Sequence, residues 1–364
     1  MGGEHPRAGE HLLLHPAADR AASDGRAVRQ AQERGVFGVL RSPTRLGLRS
    51  ILQAQRRIAP FIRRTPLVRS AFLSARTGAD VWLKLECWQR TGSFKVRGAL
   101  NKVGLLTPEE RARGLVTASA GNHGLGLAYA AQVWDEAQAD IFVPRNASRA
   151  KVEKLRRFGV TLHQEGTTYE EAHQAAERFA RERGGIYVSA YDDVDVIAGQ
   201  GTLGLEILTD LPEADLVLVP IGGGGMIAGV ATAVKEMSPG CQVIGLQPEA
   251  SPAAFLSLRD GVPYDPYDHE PTIADGLAGG FGAMPFYLAR TLIERVLLVS
   301  EAGLRRAVFA LLDQEQLVVE PSGAIAIAPL LDGSLDVAGQ TVVCILSGGN
   351  LETALLRDIL VELA

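Results

Sequence analysis

Short apolar, β-rich runs recur along this chain with segments of helical period between them, and that alternation restricts the fold more than any other feature. The runs cover residues 81–85, 115–117, 140–143, 186–188, 216–219, 243–246 and 341–346. Between them, residues 148–158, 169–183, 303–314 and 351–361 space their apolar side chains as a helix with one buried face does. Strands that alternate with helices are joined by crossovers, so they pair in parallel and are covered on both faces. The fold class is therefore α/β. No repeat of fixed period and no low-complexity linker interrupts it. Residues 261–271, with Pro263, Pro266 and Pro271, read as a surface excursion.

At 364 residues the chain is long enough for two cores, and its net charge of −5 provides no basic field for nucleic acid. No apolar run is long enough to span a bilayer. Cys87, Cys241 and Cys344 are odd in number and far apart, which supports neither a disulfide framework nor a zinc site and fits a reducing cytoplasm. Residues 1–45 differ from the rest, being rich in Arg and Ala with interspersed acids; they read as a poorly ordered extension rather than a targeting leader. His11 and His15 stand at helical spacing there, with His5 or Glu10 as a further ligand, but so loose a stretch offers nothing to hold a metal.

Lys95 is the residue whose chemistry asks for explanation. It lies between Phe94 and Val96, in Thr91-Gly92-Ser93-Phe94-Lys95-Val96-Arg97-Gly98, and only six of the 37 basic residues are lysines. If this side chain enters an apolar cleft, desolvation lowers its pKa from about 10.4 by up to several units and exposes a nucleophilic amine suited to a Schiff base. The octapeptide alone equally suits a helix-start lysine on a solvated face. The scarcity of lysine suggests that a lysine here marks a place where deprotonation matters.

Three Gly-rich turns each follow a predicted strand and open a helix. In Ser119-Ala120-Gly121-Asn122-His123-Gly124, helix-start amides attract an anion such as a carboxylate, and Asn122 adds a neutral donor. His123, beside a glycine turn, is read first as a packed side chain. Gly222-Gly223-Gly224-Gly225-Met226 lets bare backbone wrap a phosphate. Its rival reading is a dinucleotide fingerprint, Gly223-x-Gly225-x-x-Ala228 with Glu249 as the ribose acid, and a tight structural turn is a third. Ser347-Gly348-Gly349-Asn350 either caps the helix that begins near Leu351 or presents the Ser347 hydroxyl to a ligand.

A Schiff-base lysine, a phosphate cradle, a carboxylate site and a hydroxyl for a ring nitrogen together suit pyridoxal 5′-phosphate (PLP). Ser93-Phe94-Lys95-Val96-Arg97-Gly98-Ala99, Ser119-Ala120-Gly121-Asn122-His123, Gly222-Gly223-Gly224-Gly225-Met226, Ala274-Asp275-Gly276 and Ser347-Gly348-Gly349-Asn350 stand in the family's order. From about Thr65 onward the chain resembles the threonine dehydratase and serine racemase group of fold-type II, tryptophan synthase β-like, PLP enzymes.

The resemblance implies a large domain from residues 46–113 and 192–364 with a smaller mobile domain, 114–191, between. It implies that Lys95 holds PLP and then removes the Cα proton of an amino-acid substrate, with Phe94 beside the ring. Asn122 would bond the 3′-oxygen. Ser119, Ala120, Gly121, Asn122 and His123 would hold the substrate carboxylate. Gly222, Gly223, Gly224, Gly225 and Met226 would bind the phosphate, Ser347 would face the ring nitrogen, and Glu320 would lie near the ring. The implied reaction is β-elimination of water from L-threonine or L-serine, giving a 2-oxo acid and ammonia, in a cytoplasmic homodimer or higher homo-oligomer.

Two departures from the group bear on this. Racemizing members carry a serine at the position of Ala120, and cation-binding members carry acids where Gln247 and Ala253 stand, after a strand ending at Leu246. Dehydration is therefore favoured over serine racemization, and no metal is assigned; 3-hydroxyaspartate dehydration stays open as an alternative within the group. The residues after Asn350 read as one helix, too few for the regulatory domain of biosynthetic members, so inhibition by isoleucine is not expected. An oxidoreductase using a dinucleotide, or a binding protein without catalysis, remains the alternative from the turns alone.

Overall fold

The computed structural model describes residues 46–134 and 137–364. The N-terminal extension, residues 1–45, with its histidines, lies outside the described residues.

Two sheets organise the chain. The larger has six strands in the order β1-β2-β10-β7-β8-β9: β1 Leu67–Arg69, β2 Asp80–Lys84, β7 Leu216–Pro220, β8 Gln242–Pro248, β9 Arg295–Val299 and β10 Thr341–Ile345. Only β1 runs antiparallel to its neighbour. The smaller has four parallel strands in the order β5-β4-β3-β6: β3 Leu115–Ala118, β4 Ala139–Val143, β5 Thr161–Gln164 and β6 Ile186–Tyr187.

The central strands are buried on both faces, which is why they read as continuous apolar runs. On β7, Val217 and Val219 enter one core while Leu216 and Leu218 enter the other, and β10 divides Val343 and Ile345 from Val342 and Cys344 in the same way. β1, β5, β6 and β9 are edge strands; no apolar run announces β1 or β5, whereas β9 carries one at residues 296–299 that sequence reasoning missed. β8 continues to Pro248, two residues beyond the end expected from its apolar run. Residues 261–271 form no helix or strand, as expected of a surface excursion. Among the described residues, no helix is long and apolar enough to cross a membrane.

The helix Val194–Asp210 is the floor on which two other helices rest. A Cβ on its Gly199 would stand 2.6 Å from the Arg97 carbonyl oxygen, so the helix Lys95–Leu105 approaches it backbone to backbone. A Cβ on Gly229, in the helix Gly225–Met237, would stand 2.4 Å from the Ile197 carbonyl oxygen. Both helices start at residues singled out above. Close packing on one floor fixes their N-termini relative to each other.

Candidate active site

Lys95 opens its helix directly after a bridge between Ser93 and Gly348, and the Phe94 N–H donates to the Ser347 carbonyl at 3.1 Å. The lysine turn and the turn after β10 are thus one unit. Lys95 Nζ donates to the Ala190 carbonyl at 2.9 Å and lies 5.3 Å from the centre of the Phe94 ring. Burial pulls the amine down to about 8, so roughly a tenth of it is neutral at pH 7. The reading that lysines in general mark deprotonation is corrected. Lys84, Lys102, Lys151 and Lys235 pair with Glu206, Asp193, Asp275 and Glu294. Against the desolvation that would lower them, those aspartates hold Lys102 and Lys151 above the ordinary lysine value.

β3 leads into the turn 119–124, where Ser119 Oγ accepts from the Gly121 N–H at 3.2 Å. The helix Asn122–Val133 begins there, and the Leu125 N–H, donating to Gly121, makes its first helical bond. The amides of Asn122, His123 and Gly124 are therefore left for a ligand, as at any helix start. The His123 imidazole is buried with Nε2 3.0 Å from the Val188 carbonyl. Burial, with the Lys95 charge adding, pulls it down to about 3, so it stays neutral, and what it offers the turn is its backbone N–H. The Ala120 methyl packs against the apolar cluster of the smaller sheet that includes Ile141 and Val143.

β7 leads into the turn 222–225. Here φ is +92° at Gly224, where a Cβ would also stand 2.3 Å from the Phe281 ring, and a Cβ on Gly223 would stand 2.2 Å from the Tyr191 ring. No side chain fits at either place, so the backbone is bare up to the start of the helix at Gly225 and Met226. Tyr191 follows the Ala190 that receives Lys95, so this pair joins the glycine turn to the lysine. Ser347 Oγ is buried and donates to the Ser322 carbonyl at 3.3 Å. It does not cap the next helix, which spans Thr353–Leu363 with Glu352 at its N-cap.

A family model described as pyridoxal-phosphate dependent enzyme matches residues 58–348. The chain belongs to that family. PLP is its cofactor. Among its relatives, L-threonine ammonia-lyase of Thermotoga maritima is 42% identical over 314 residues, covering 86% of this chain and 78% of the relative. The crystal structure of a T.th. threonine deaminase superposes with a TM-score of 0.79 at 38% identity, over 84% of this chain and 99% of that one. Maize serine racemase gives a TM-score of 0.80 at 33% identity, over 87% and 97%.

The residues present fit the cofactor. The bare turn 222–225, with a helix N-terminus behind it, suits a phosphate, and the half-buried Lys95 amine suits an aldehyde. The dinucleotide alternative loses its support: Glu249 is exposed at the end of β8, and that reading has no use for Lys95. Gln247 Oε1 accepts from the Ala254 and Phe255 amides at 3.0 and 3.2 Å, which commits it to capping the helix Ala253–Asp260. Among the described residues, no group of three or more His, Cys, Asp or Glu is placed to hold a metal ion.

Beside Lys95 lies a feature that sequence reasoning missed. Arg97, fully buried, donates from Nε and Nη2 to Glu86 at 2.8 Å each, and from Nη1 and Nη2 to Glu206 at 2.8 and 2.9 Å. Lys84 Nζ donates to Glu206 and to the Thr65 carbonyl, both at 2.8 Å. Two cations and two carboxylates balance. Desolvation alone would raise Glu206, yet Arg97 and Lys84 hold it below the ordinary carboxylate range. These four side chains tie β2, the Lys95 helix and its floor together two residues from Lys95 itself.

Glu320, at the N-cap of the helix Pro321–Ala324, is buried and accepts from Asn122 Nδ2 at 2.6 Å. Burial, with the nearby Asp275 charge, pushes its carboxyl up to about 7, against the Asn122 bond and the Lys151 charge. The folded, cofactor-free protein then binds this proton more tightly than the unfolded chain does, so its stability falls as pH rises from about 4.5 through about 7. Thermal melts of that form are expected to lose on the order of 2 kcal/mol over this window, and Glu320→Gln is expected to flatten the slope. An unchanged slope in the variant would show that the proton sits elsewhere.

Proposed function

We propose that this chain deaminates L-threonine, and L-serine with it, by eliminating water from the β-hydroxy amino acid to release a 2-oxo acid and ammonia. What carries this reading is the half-buried Lys95 amine, desolvated enough to be drawn down to about 8, between the Asn122 turn and the bare glycine turn. Relatives named L-threonine ammonia-lyase and threonine deaminase, at 42% and 38% identity, support the choice of substrate.

When bound, PLP supplies an electron sink that makes the substrate Cα–H acidic. The amides of Gly222, Gly223, Gly224, Gly225 and Met226 would hold its phosphate, and Phe94 would pack beside its ring. Asn122 Nδ2 would donate to the 3′-oxygen, with Glu320 behind it. Ser347 Oγ would serve the ring nitrogen; a hydroxyl there, unlike an Asp, would leave that nitrogen unprotonated. The Ser119 hydroxyl and the amides from Ala120 to His123 orient the substrate carboxylate. Lys95, once free, would take the Cα proton at Nζ, and the β-hydroxyl would leave with uptake of one proton, so that the Cα proton removed and the hydroxide lost balance as one water. The enamine released tautomerises to an imine, which water hydrolyses to the 2-oxo acid and ammonia. The four-stranded sheet, standing apart from the six-stranded one, supports residues 114–191 as a mobile smaller domain between 46–113 and 192–364. Three buried free cysteines support a reducing cytoplasm, and a homodimer or higher homo-oligomer completes the reading.

Measuring 2-oxo acid release across a panel of β-hydroxy amino acids tests the activity; a panel that gives none sinks it. Racemization is expected to be minor, because no hydroxyl at Ala120 is present to reprotonate Cα from the face opposite Lys95. Ala120→Ser is expected to raise D-serine formation from L-serine by about tenfold, read by chiral chromatography, with the pyruvate rate as internal reference. D-serine outrunning pyruvate in the unaltered protein would reverse the assignment.

A further inference from the structure

The side chain of Asn122 is held from both ends. Its Oδ1 accepts from Asn350 Nδ2 at 2.6 Å, and its Nδ2 donates to Glu320 Oε1 at 2.6 Å. Turning the amide over would set donor against donor at Asn350, whose own Nδ2 is fixed by the Thr91 carbonyl. Asn350 therefore selects one orientation, which leaves the second Nδ2 hydrogen for a ligand.

Asn350 is itself pinned. Its Nδ2 also donates to the Thr91 carbonyl at 2.9 Å, and its amide lies flat on Gly92. There φ is +78°, and a Cβ would stand 2.8 Å from Asn350 Oδ1. The Gly349 N–H donates to the Gly92 carbonyl at 2.8 Å, and Lys154 Nζ lies 3.5 Å from Asn350 Oδ1. Asn350 thus ties the turn that leads into Lys95 to the turn that opens at Asn122.

We propose that Asn350 is a positioning residue for the cofactor, holding Asn122 as a hydrogen-bond donor toward the PLP 3′-oxygen and in register with Lys95. It acts through Asn122 and makes no contact with PLP. The proposal rests on Asn122 being the ligand of that oxygen, and the test separates the two.

The full-length protein, freed of PLP, is titrated with PLP as wild type and as Asn122→Ala, Asn350→Ala, Asn350→Asp and the double alanine variant. Affinity is followed by tryptophan quenching and by the visible spectrum of the bound cofactor. Each single alanine variant is expected to bind PLP about tenfold more weakly, with the absorption maximum displaced in the same direction. The double variant is expected to be no weaker than Asn122→Ala alone, because the second residue acts through the first. Asn350→Asp keeps the shape and gains Lys154 as an ion partner, so it folds; yet it faces Asn122 Oδ1 with an acceptor and is expected to weaken PLP at least as much as Asn350→Ala. Should Asn350→Ala fold poorly, Asn350→Asp decides. Losses that multiply to about a hundredfold in the double variant, or wild-type affinity and spectrum in Asn350→Asp, overturn the proposal while leaving Asn122 as a ligand. Unchanged affinity and spectrum in Asn122→Ala overturn the ligand assignment and the proposal together.

Discussion

Lys95→Ala is expected to yield a folded protein that neither traps PLP on borohydride reduction nor releases 2-oxo acid at a measurable rate. In the proposed reaction the lysine has two tasks, the covalent anchor and the proton acceptor at Cα, and its loss removes both. General base catalysis alone is worth about 10²- to 10⁴-fold, so a fall in turnover of at least about a thousandfold is expected. The apoprotein should not suffer. A desolvated amine drawn down to about 8 costs folding free energy at neutral pH, so the alanine variant is expected to melt no lower than wild type. Reduction, digestion and peptide mapping of the wild type should place the label on Lys95. A labelled peptide in the alanine variant would mean that the anchor is another lysine. Partial rescue by added small amines would separate loss of the base from collapse of the pocket.

Arg97→Ala is expected to damage stability rather than chemistry first. The substitution leaves Glu86, fully buried, with the Thr65 hydroxyl as its partner at 2.5 Å, and leaves Glu206 with Lys84. Removing one partner from a buried ion network costs about 3–5 kcal/mol, because the remaining charge is neither solvated nor paired. For a chain of this size the melting temperature should fall on the order of 10 °C. Arg97→Lys should recover little, since one ammonium cannot fork to two carboxylates. A loss below about 1 kcal/mol in urea unfolding would mean that water reaches the carboxylates and that the network does not fix the Lys95 helix.

What the sequence disclosed, and what it concealed, follows burial. β2, β7, β8 and β10 lie inside the large sheet and carry apolar runs at their centres, so they were legible. β1 and β5 lie at edges, and their mixed side chains carry no such signature; β9, also an edge, carries the apolar run 296–299 and was missed all the same. The helices singled out in advance, such as Tyr169–Arg183 and Glu301–Glu315, have one wet face and a clear period. The helix Val194–Asp210 is buried nearly all round and shows almost none.

The site divides in the same way. Lys95 and the three turns were legible because each is a compact string whose chemistry is local. Ala190 and Tyr191 were not, since a backbone carbonyl and a ring lying on a glycine leave no mark in composition. The partnership of Arg97 with Glu86, Glu206 and Lys84 also lay out of reach, because buried charges pair across the fold with no fixed spacing. Asn350 stood in a recognised motif, but its bond to Asn122 depends on two turns meeting in space.

β10 has a consequence for how the molecule is made. It lies between β2 and β7, so the two parts of the six-stranded sheet touch only through a strand encoded after all the others. A chain emerging from the ribosome can build the four-stranded sheet early, but the larger sheet has a gap at its centre until residues 341–345 arrive. Strands waiting on a distant partner fold slowly and expose apolar edges meanwhile. Ser347 and Asn350 follow on the same strand's heels, so the site proposed for the cofactor is completed only at the end of synthesis. A nascent chain halted before β10 is then the species most exposed to aggregation and to proteases.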